Sequence, residues 1–181
     1  MRDEELINAV RGGDTDAFKE LVKRYESSVA QTVIGMLGQC PEAEDVGQET
    51  FIRFYRGLKH FRGDSSIETY LSRIAINLSL NELKRRRRKK LFFPTSAEAL
   101  EDLPNENSDL PEGETKELVH RAIQKLEPKF RSVIVLRLME GYSTEETAKI
   151  LKIPVGTVLS RLARAQKKLK EWLQPYFGEE R

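Results

Sequence analysis

The sequence predicts an all-α protein made of two small helical domains joined by a flexible acidic linker. Apolar residues recur at steps of three and four along most of the chain, the signature of one buried helix face. No segment shows the strict alternation of a half-buried strand. One stretch, FFPTSAEALEDLPNENSDLP from Phe92 to Pro111, loses periodicity and mixes Pro, Asn, Ser and acids, as linkers do. The domains are therefore expected at residues 1–91 and 113–181, with the linker over 92–112. There is no internal repeat.

Leu6, Ile7 and Val10 predict a short first helix, ended by Gly12-Gly13. Asp14 suits the N-cap of a long second helix, whose stripe is Phe18, Leu21, Val22, Tyr25, Val29, Val33 and Leu37, with Gly38 as its stop. Pro41 opens a third helix with Val46, Phe51, Phe54, Tyr55 and Leu58 facing inward. Gly57 and the run His60–Asp64 break it. Ser65 and Glu68 have capping-box spacing for a fourth helix carrying Ile67, Tyr70, Leu71, Ile74, Ala75 and Leu78, which continues into a basic run. Beyond the linker, Leu118, Val119, Ile123 and Leu126 face inward until Pro128. Phe130, Val133, Ile134, Leu136 and Leu138 do so until Glu140-Gly141.

The last stretch carries the strongest local signal. Ser143 and Glu146 form a capping-box spacing for a short helix with Ala148 and Leu151 inward. Lys152-Ile153-Pro154 makes a turn. Val155, Val158, Leu162, Ala165, Leu169 and Trp172 or Leu173 line a longer helix. Its other side holds Thr157, Ser160, Arg161, Arg164, Lys167 and Lys168. Five Lys or Arg and no acid fall between Val155 and Lys170, whereas a merely solvated face mixes signs. Short helix, turn and basic helix make a helix-turn-helix that reads a DNA major groove; the alternative is an ordinary helical hairpin.

Composition excludes several classes. Net charge is +2, so the chain is no generic polycation, but charge is segregated: Lys84–Lys90 reads KRRRRKK, while Glu98–Glu117 holds eight acids and one lysine. Single Cys40 rules out an internal disulfide and a cysteine-based zinc site. His60 and His120 are far apart, so no metal and no cofactor are expected. No apolar run approaches the roughly 18 residues of a membrane span, and MRDEELINAV lacks the pattern of a signal peptide, so membrane insertion is not expected and a cytoplasmic location is.

Several motifs, in order, resemble the extracytoplasmic-function (ECF) sigma factors, the smallest group of the bacterial sigma-70 family. Asp16-Ala17-Phe18 with Leu21 and Tyr25 looks like the start of region 2. Ala43-Glu44-Asp45-Val46 and Gln48-Glu49-Thr50-Phe51 are similar to the AEDxxQExF signature. Phe61-Arg62-Gly63-Asp64-Ser65-Ser66 and Tyr70–Asn77 resemble regions 2.3–2.4. Leu126–Arg131 and Ile153–Val158 resemble region 4.

The resemblance implies a non-enzymatic factor that binds core RNA polymerase, through the clamp helices of its largest subunit and its flap region, and directs it to promoter DNA. Glu42, Asp45, Gln48, Glu49 and Arg53 would dock the polymerase. Glu42, Asp45 and Glu49 share a helix face by spacing alone. Arg62, Gly63, Asp64, Ser65 and Ser66 would form the pocket for a base flipped from the melted minus-10 strand, followed along that strand by Arg73, Asn77, Asn81, Lys84 and Arg85. The run Lys84–Lys90 would meet phosphates without reading sequence. Thr157, Ser160, Arg161, Arg164 and Lys168 would contact the minus-35 duplex, Arg161 and Arg164 being suited to guanine edges. An anti-sigma factor is a further implied partner.

Three residues depart from the family's pattern. Tyr70 stands where the family often has Trp, which keeps an aromatic for packing. Leu159 stands where Lys or Arg is common, which removes one DNA contact or replaces it with an apolar touch on a thymine methyl. Lys152 stands where the turn often has Gly. Two competing readings are a free-standing helix-turn-helix regulator and a metal-dependent nuclease using Glu42, Asp45 and Glu49.

Overall fold

A computed structural model describes residues 2–92 and 112–177, and among them eight α-helices and no strand. They are α1 (Asp3–Arg11), α2 (Thr15–Leu37), α3 (Pro41–Gly57), α4 (Ile67–Phe92), α5 (Glu112–Lys125), α6 (Pro128–Ile134), α7 (Thr144–Leu151) and α8 (Val155–Phe177). A 3₁₀ turn, Leu58–His60, follows α3, and a π-helical turn, Val135–Met139, follows α6. Most of the expected linker lies outside the described residues; its two ends, Phe92 and Glu112, belong to helices.

Helices α1–α4 form the first bundle. The Asp14 carboxylate caps α2 by accepting from the Asp16 and Ala17 amides at 2.9 and 3.1 Å. Leu6, Ile7, Val10, Leu21, Val29, Val33, Phe54, Leu58, Ile67, Leu71 and Ala75 are buried together. Gly57 has a packing reason: a Cβ there would sit 2.5 Å from the Tyr70 hydroxyl oxygen. The Tyr70 ring in turn lies 6.0 Å from Phe54 and 5.2 Å from Phe61.

Helices α5–α8 form the second bundle, with Ile123, Leu126, Phe130, Ile134 and Ala165 in one cluster and Val133, Ala148 and Val158 in another.

Four local expectations change. Ser66, not Ser65, caps α4: its Oγ accepts from the Thr69 amide at 3.1 Å. Tyr55 is exposed, because the buried line of α3 runs Ala43, Val46, Thr50, Phe54 and leaves it one step outside. Leu138 is exposed, because the π-helical turn, closed by the Glu140 amide to the Val135 carbonyl at 2.9 Å, adds a residue to the turn and rotates it off the stripe. Val155, at the first turn of α8, is also exposed.

The two bundles pack on each other along α2 and α4, which periodicity alone does not forecast. Val135, Leu136, Tyr142 and Ile150 join the core of the first bundle. A Cβ on Gly35 would come within 3.0–3.3 Å of Val135 and Met139, so glycine sets how closely α2 approaches the π-helical turn.

Around this seam the contacts are polar. Arg131, 7% exposed, donates to the Met36 carbonyl at 2.6 Å, the Leu126 carbonyl and the Gln124 Oε1 at 3.0 Å each, and the Gln124 carbonyl. The Gln124 amide donates to the Gly35 carbonyl at 2.7 Å, and the Ser72 and Tyr142 hydroxyls share a bond of 2.8 Å. Burial pushes the pKa of Glu140, beside Thr32, up to about 7.

That carboxyl gives the fold a pH dependence. Below the ordinary carboxylate pKa, Glu140 is neutral whether buried or released, and burial carries no charge penalty. As pH rises towards 7 the released form ionises first, so the packed form loses stability across this window. Glu140→Gln is expected to match the wild type in denaturant midpoint near pH 4.5 and to exceed it at pH 8.

Candidate protein and nucleic-acid interfaces

The acidic face lies on α3. Pro41 starts the helix, and Glu42 and Glu44 sit in its first turn, where the helix dipole favours negative charge. Asp45 and Gln48 are exposed. Glu49 is half-buried and takes a 2.8 Å hydrogen bond from Arg53. Glu42 lies 3.5 Å from Arg86. A backbone amide at the helix start and then Arg86 hold its carboxyl below the usual range. An apolar groove between α2 and α3, lined by Val22, Ala30, Ile34 and Phe51, runs beside this face. Val22 and Phe51 belong to the inward stripes that periodicity predicts, which hides the groove. Among the described residues no three His, Cys, Asp or Glu side chains are placed to share a metal ion, so Glu42, Asp45 and Glu49 do not form a ligand set.

The loop after α3 is tied down from α1. Arg11 donates to the Leu58 carbonyl at 3.1 Å and to the Phe61 carbonyl. Arg62, Gly63, Asp64 and Ser66 are exposed and Ser65 is half-buried. Gly63 has φ +78° and open space where a Cβ would point, so it is needed for its left-handed backbone rather than for close approach.

On α4, Asn77, Asn81 and Lys84 follow at helical spacing and are exposed; Arg73 is half-buried, with Nε buried and without a hydrogen-bond partner. Arg85 is held by Glu82 through bonds of 2.7 and 2.9 Å.

The basic run Lys84–Lys90 is not a uniform tail. It is the last part of α4, and helical phase divides it. Arg86 turns inward, reaching Glu82 at 3.1 Å, Cys40 Sγ at 3.0 Å and the Leu37 carbonyl at 3.4 Å. It therefore fastens α4 to the α2–α3 corner instead of facing a phosphate. Lys84, Arg85, Arg87, Arg88, Lys89 and Lys90 remain exposed.

The helix-turn-helix forms as the spacing predicts. The Ser143 Oγ accepts from the Glu146 amide at 3.1 Å, and the Ser143 amide donates to the Glu146 carboxylate at 2.8 Å. Lys152 adopts the left-handed conformation itself, φ 54° and ψ 48°, so the turn keeps its shape without glycine. On α8, Ser160 and Arg164 are exposed, and Thr157, Arg161 and Lys168 are half-buried. Ser160 donates to the Thr157 carbonyl at 3.1 Å. Leu159 is 53% exposed, apolar and outward on a basic helix.

Known proteins resolve what such a pair of bundles is. Residues 21–89 match the family Sigma-70 region 2, and residues 116–169 match Sigma-70, region 4. The chain belongs to the sigma-70 family. The RNA polymerase sigma-H factor of Pseudomonas aeruginosa is 37% identical over 98% of this chain and 97% of its own length. The ECF RNA polymerase sigma-E factor of Escherichia coli is 36% identical over 97% and 96%.

Two solved structures share the fold. CnrH in complex with the cytosolic domain of CnrY matches with a TM-score of 0.69 and 27% identity, over 95% of this chain and 97% of that one. The sigma factor RpoE of Bartonella quintana, solved with the anti-sigma factor NepR, matches with 0.70 and 23%, over 87% and 96%. This sigma factor is of the ECF type, an alternative factor that directs transcription initiation. Among its described residues no helix is long and apolar enough to cross a membrane.

The division of the basic run is testable. Arg86→Ala is expected to destabilise the first bundle by about 1.5–3 kcal/mol, the range for lost hydrogen bonds to a charged group. Arg87→Ala and Arg88→Ala should leave the unfolding midpoint unchanged. Chemical denaturation of the three variants checks this.

Proposed function

We propose that this sigma factor docks core RNA polymerase through the exposed side of α3, holds the melted minus-10 strand with the loop 62–66 and the outer face of α4, and reads the minus-35 element as duplex with α8. The observation that carries the proposal is the segregation of charge among exposed faces. Asp45, Gln48 and Glu49 present an acidic and polar surface on α3, whereas Arg164 and Lys167 on α8, and Lys84, Arg87 and Arg88 on α4, present cations.

An acidic face meeting a basic partner sets orientation and encounter rate. The apolar groove beside it supplies area that charge alone does not. The outward amides of Asn77 and Asn81 and the ammonium of Lys84 along one side of α4 suit a single strand, whose phosphates and base edges are both reachable. Arg161 and Arg164 suit guanine O6 and N7, and Leu159 suits a thymine methyl. The factor would act as a non-enzymatic cytoplasmic subunit, the polymerase performing the chemistry. A regulatory partner of the anti-sigma type is supported by the related CnrH, which was solved with a second polypeptide bound.

Mapping transcription starts with purified factor, core polymerase and a promoter library tests this reading. Promoter-specific initiation is the expected result. Duplex binding without core binding would instead indicate a free-standing regulator. Glu49→Lys should weaken core binding at least about tenfold, since like charges at an interface cost several kcal/mol. Arg164→Ala should cost about 1–3 kcal/mol at one upstream base pair and relax the preference there.

A further inference from the structure

Three lysines from three different helices converge above two aromatic rings at the side of α8. Lys129 Nζ lies 4.9 Å from the centre of the Phe130 ring. Lys168 Nζ lies 6.0 Å from Phe130 and 5.8 Å from Trp172. Lys125 Nζ lies 5.2 Å from Trp172. Lysine stems are flexible, and an exposed ammonium normally samples much solvent. A ring face attracts it electrostatically, worth about 0.5–1 kcal/mol at exposed sites, and so narrows the positions it takes. Phe130 is nearly buried, with 5% exposure, and Trp172 is half-buried, so both rings are fixed by the core beneath them. The result is a set of cations held in place on an apolar base.

The cluster keeps a positive excess. Glu127 is the acid that faces it, paired with Lys129 at 3.0 Å. Its carboxyl is held below the usual range by Lys129 first and also by Lys168. One carboxylate against three ammonium groups leaves an attraction for anions. Glu171, on the same helix, lies 3.9 Å from Lys167 instead.

Position tells what anion would meet these lysines. Thr157, Arg161, Arg164 and Lys168 follow one another at steps of four, three and four, so they run along one flank of α8. Lys129 and Lys125, from α6 and α5, extend that flank sideways where α8 packs on those helices. The beginning of a recognition helix enters the groove, and its later turns rise past the phosphate wall. Lys168 lies two turns beyond Arg161, where backbone and not base edges comes within reach. Outward from α8 at this level lie Lys167, Lys170 and Glu171, two cations to one acid, so the local charge stays positive.

We propose that Lys125, Lys129 and Lys168, seated on Phe130 and Trp172, form a clamp for the DNA phosphate backbone beside the duplex that α8 reads. The inference rests on α8 facing duplex DNA. Lys125 and Lys129 lie outside the helix-turn-helix in the sequence, which is why the motif does not point to them. The clamp carries no base preference. It sets the register of α8 on the duplex and adds affinity that falls with salt.

The test is the salt dependence of promoter binding by the full-length factor assembled with core polymerase. For Lys125→Ala/Lys129→Ala, the slope of log K against log salt is expected to fall by about 2, close to 0.9 for each lost phosphate contact. The preferred upstream bases and the affinity for core should not change. Lys125→Arg/Lys129→Arg, which keeps both charges, should restore the slope.

An unaltered slope in a folded double-alanine variant would overturn the clamp, even if Arg164→Ala still relaxed base preference and so upheld the role of α8. Loss of core affinity with an unaltered slope would also overturn it, by assigning the lysines to an acidic protein surface. If Arg164→Ala had no effect while the slope still fell, the base-reading proposal would fail and the phosphate contact would stand.

Discussion

Arg131 carries a charge into a site where, among the described residues, no carboxylate meets it. Oxygens of Met36, Gln124 and Leu126 hold the guanidinium instead, and burial lowers its pKa to about 10, which leaves it cationic at neutral pH. Met36 belongs to α2, and Gln124 and Leu126 to the end of α5 and the turn after it, so one side chain fixes both the connection inside the second bundle and its seat on the first. Desolvating a cation costs several kcal/mol, which the bonds from both terminal nitrogens offset, while the buried Nε of Arg131 has no partner. The closeness of Gly35 to Val135, the bond between Ser72 and Tyr142, and the burial of Glu140 all depend on the second bundle staying where Arg131 holds it.

Such a seam differs from a core. It contains Thr32, Ser72, Glu140 and Tyr142 beside Val135 and Leu136, and interfaces of this mixed kind resemble those between separate proteins. The two bundles have their own apolar centres, the first around Phe54 and Leu71, the second around Phe130 and Ala165. Each proposed contact surface belongs to one bundle, so recognition of polymerase, single strand and duplex can be divided between bodies whose relative position is set by a seam of apolar and polar contacts together.

The sequence is most legible where one local rule decides. Asp14 before a long stripe, Pro41 at a helix start, and Ser143 with Glu146 each determine a helix end through their nearest neighbours, and all three form. Ser65 failed as a cap by a single position because two adjacent serines offer the same chemistry. Leu138 failed because a π-helical turn leaves no mark in a pattern of threes and fours. Arg86 was hidden inside seven cations that look alike until helical phase separates them. The packing of one bundle on the other, and the meeting of Lys125, Lys129 and Lys168 over shared rings, join residues distant in sequence. No periodicity encodes such pairs.

The ring shared by Lys125 and Lys168 belongs to Trp172, the chain's single tryptophan. Indole emission responds to charge placed over its face, and two ammonium groups stand there. Any anion that draws those lysines outward changes the field on the fluorophore without touching it. The protein thus carries an intrinsic optical reporter beside the helix proposed to read duplex DNA, and with a single tryptophan no other indole contributes to the signal.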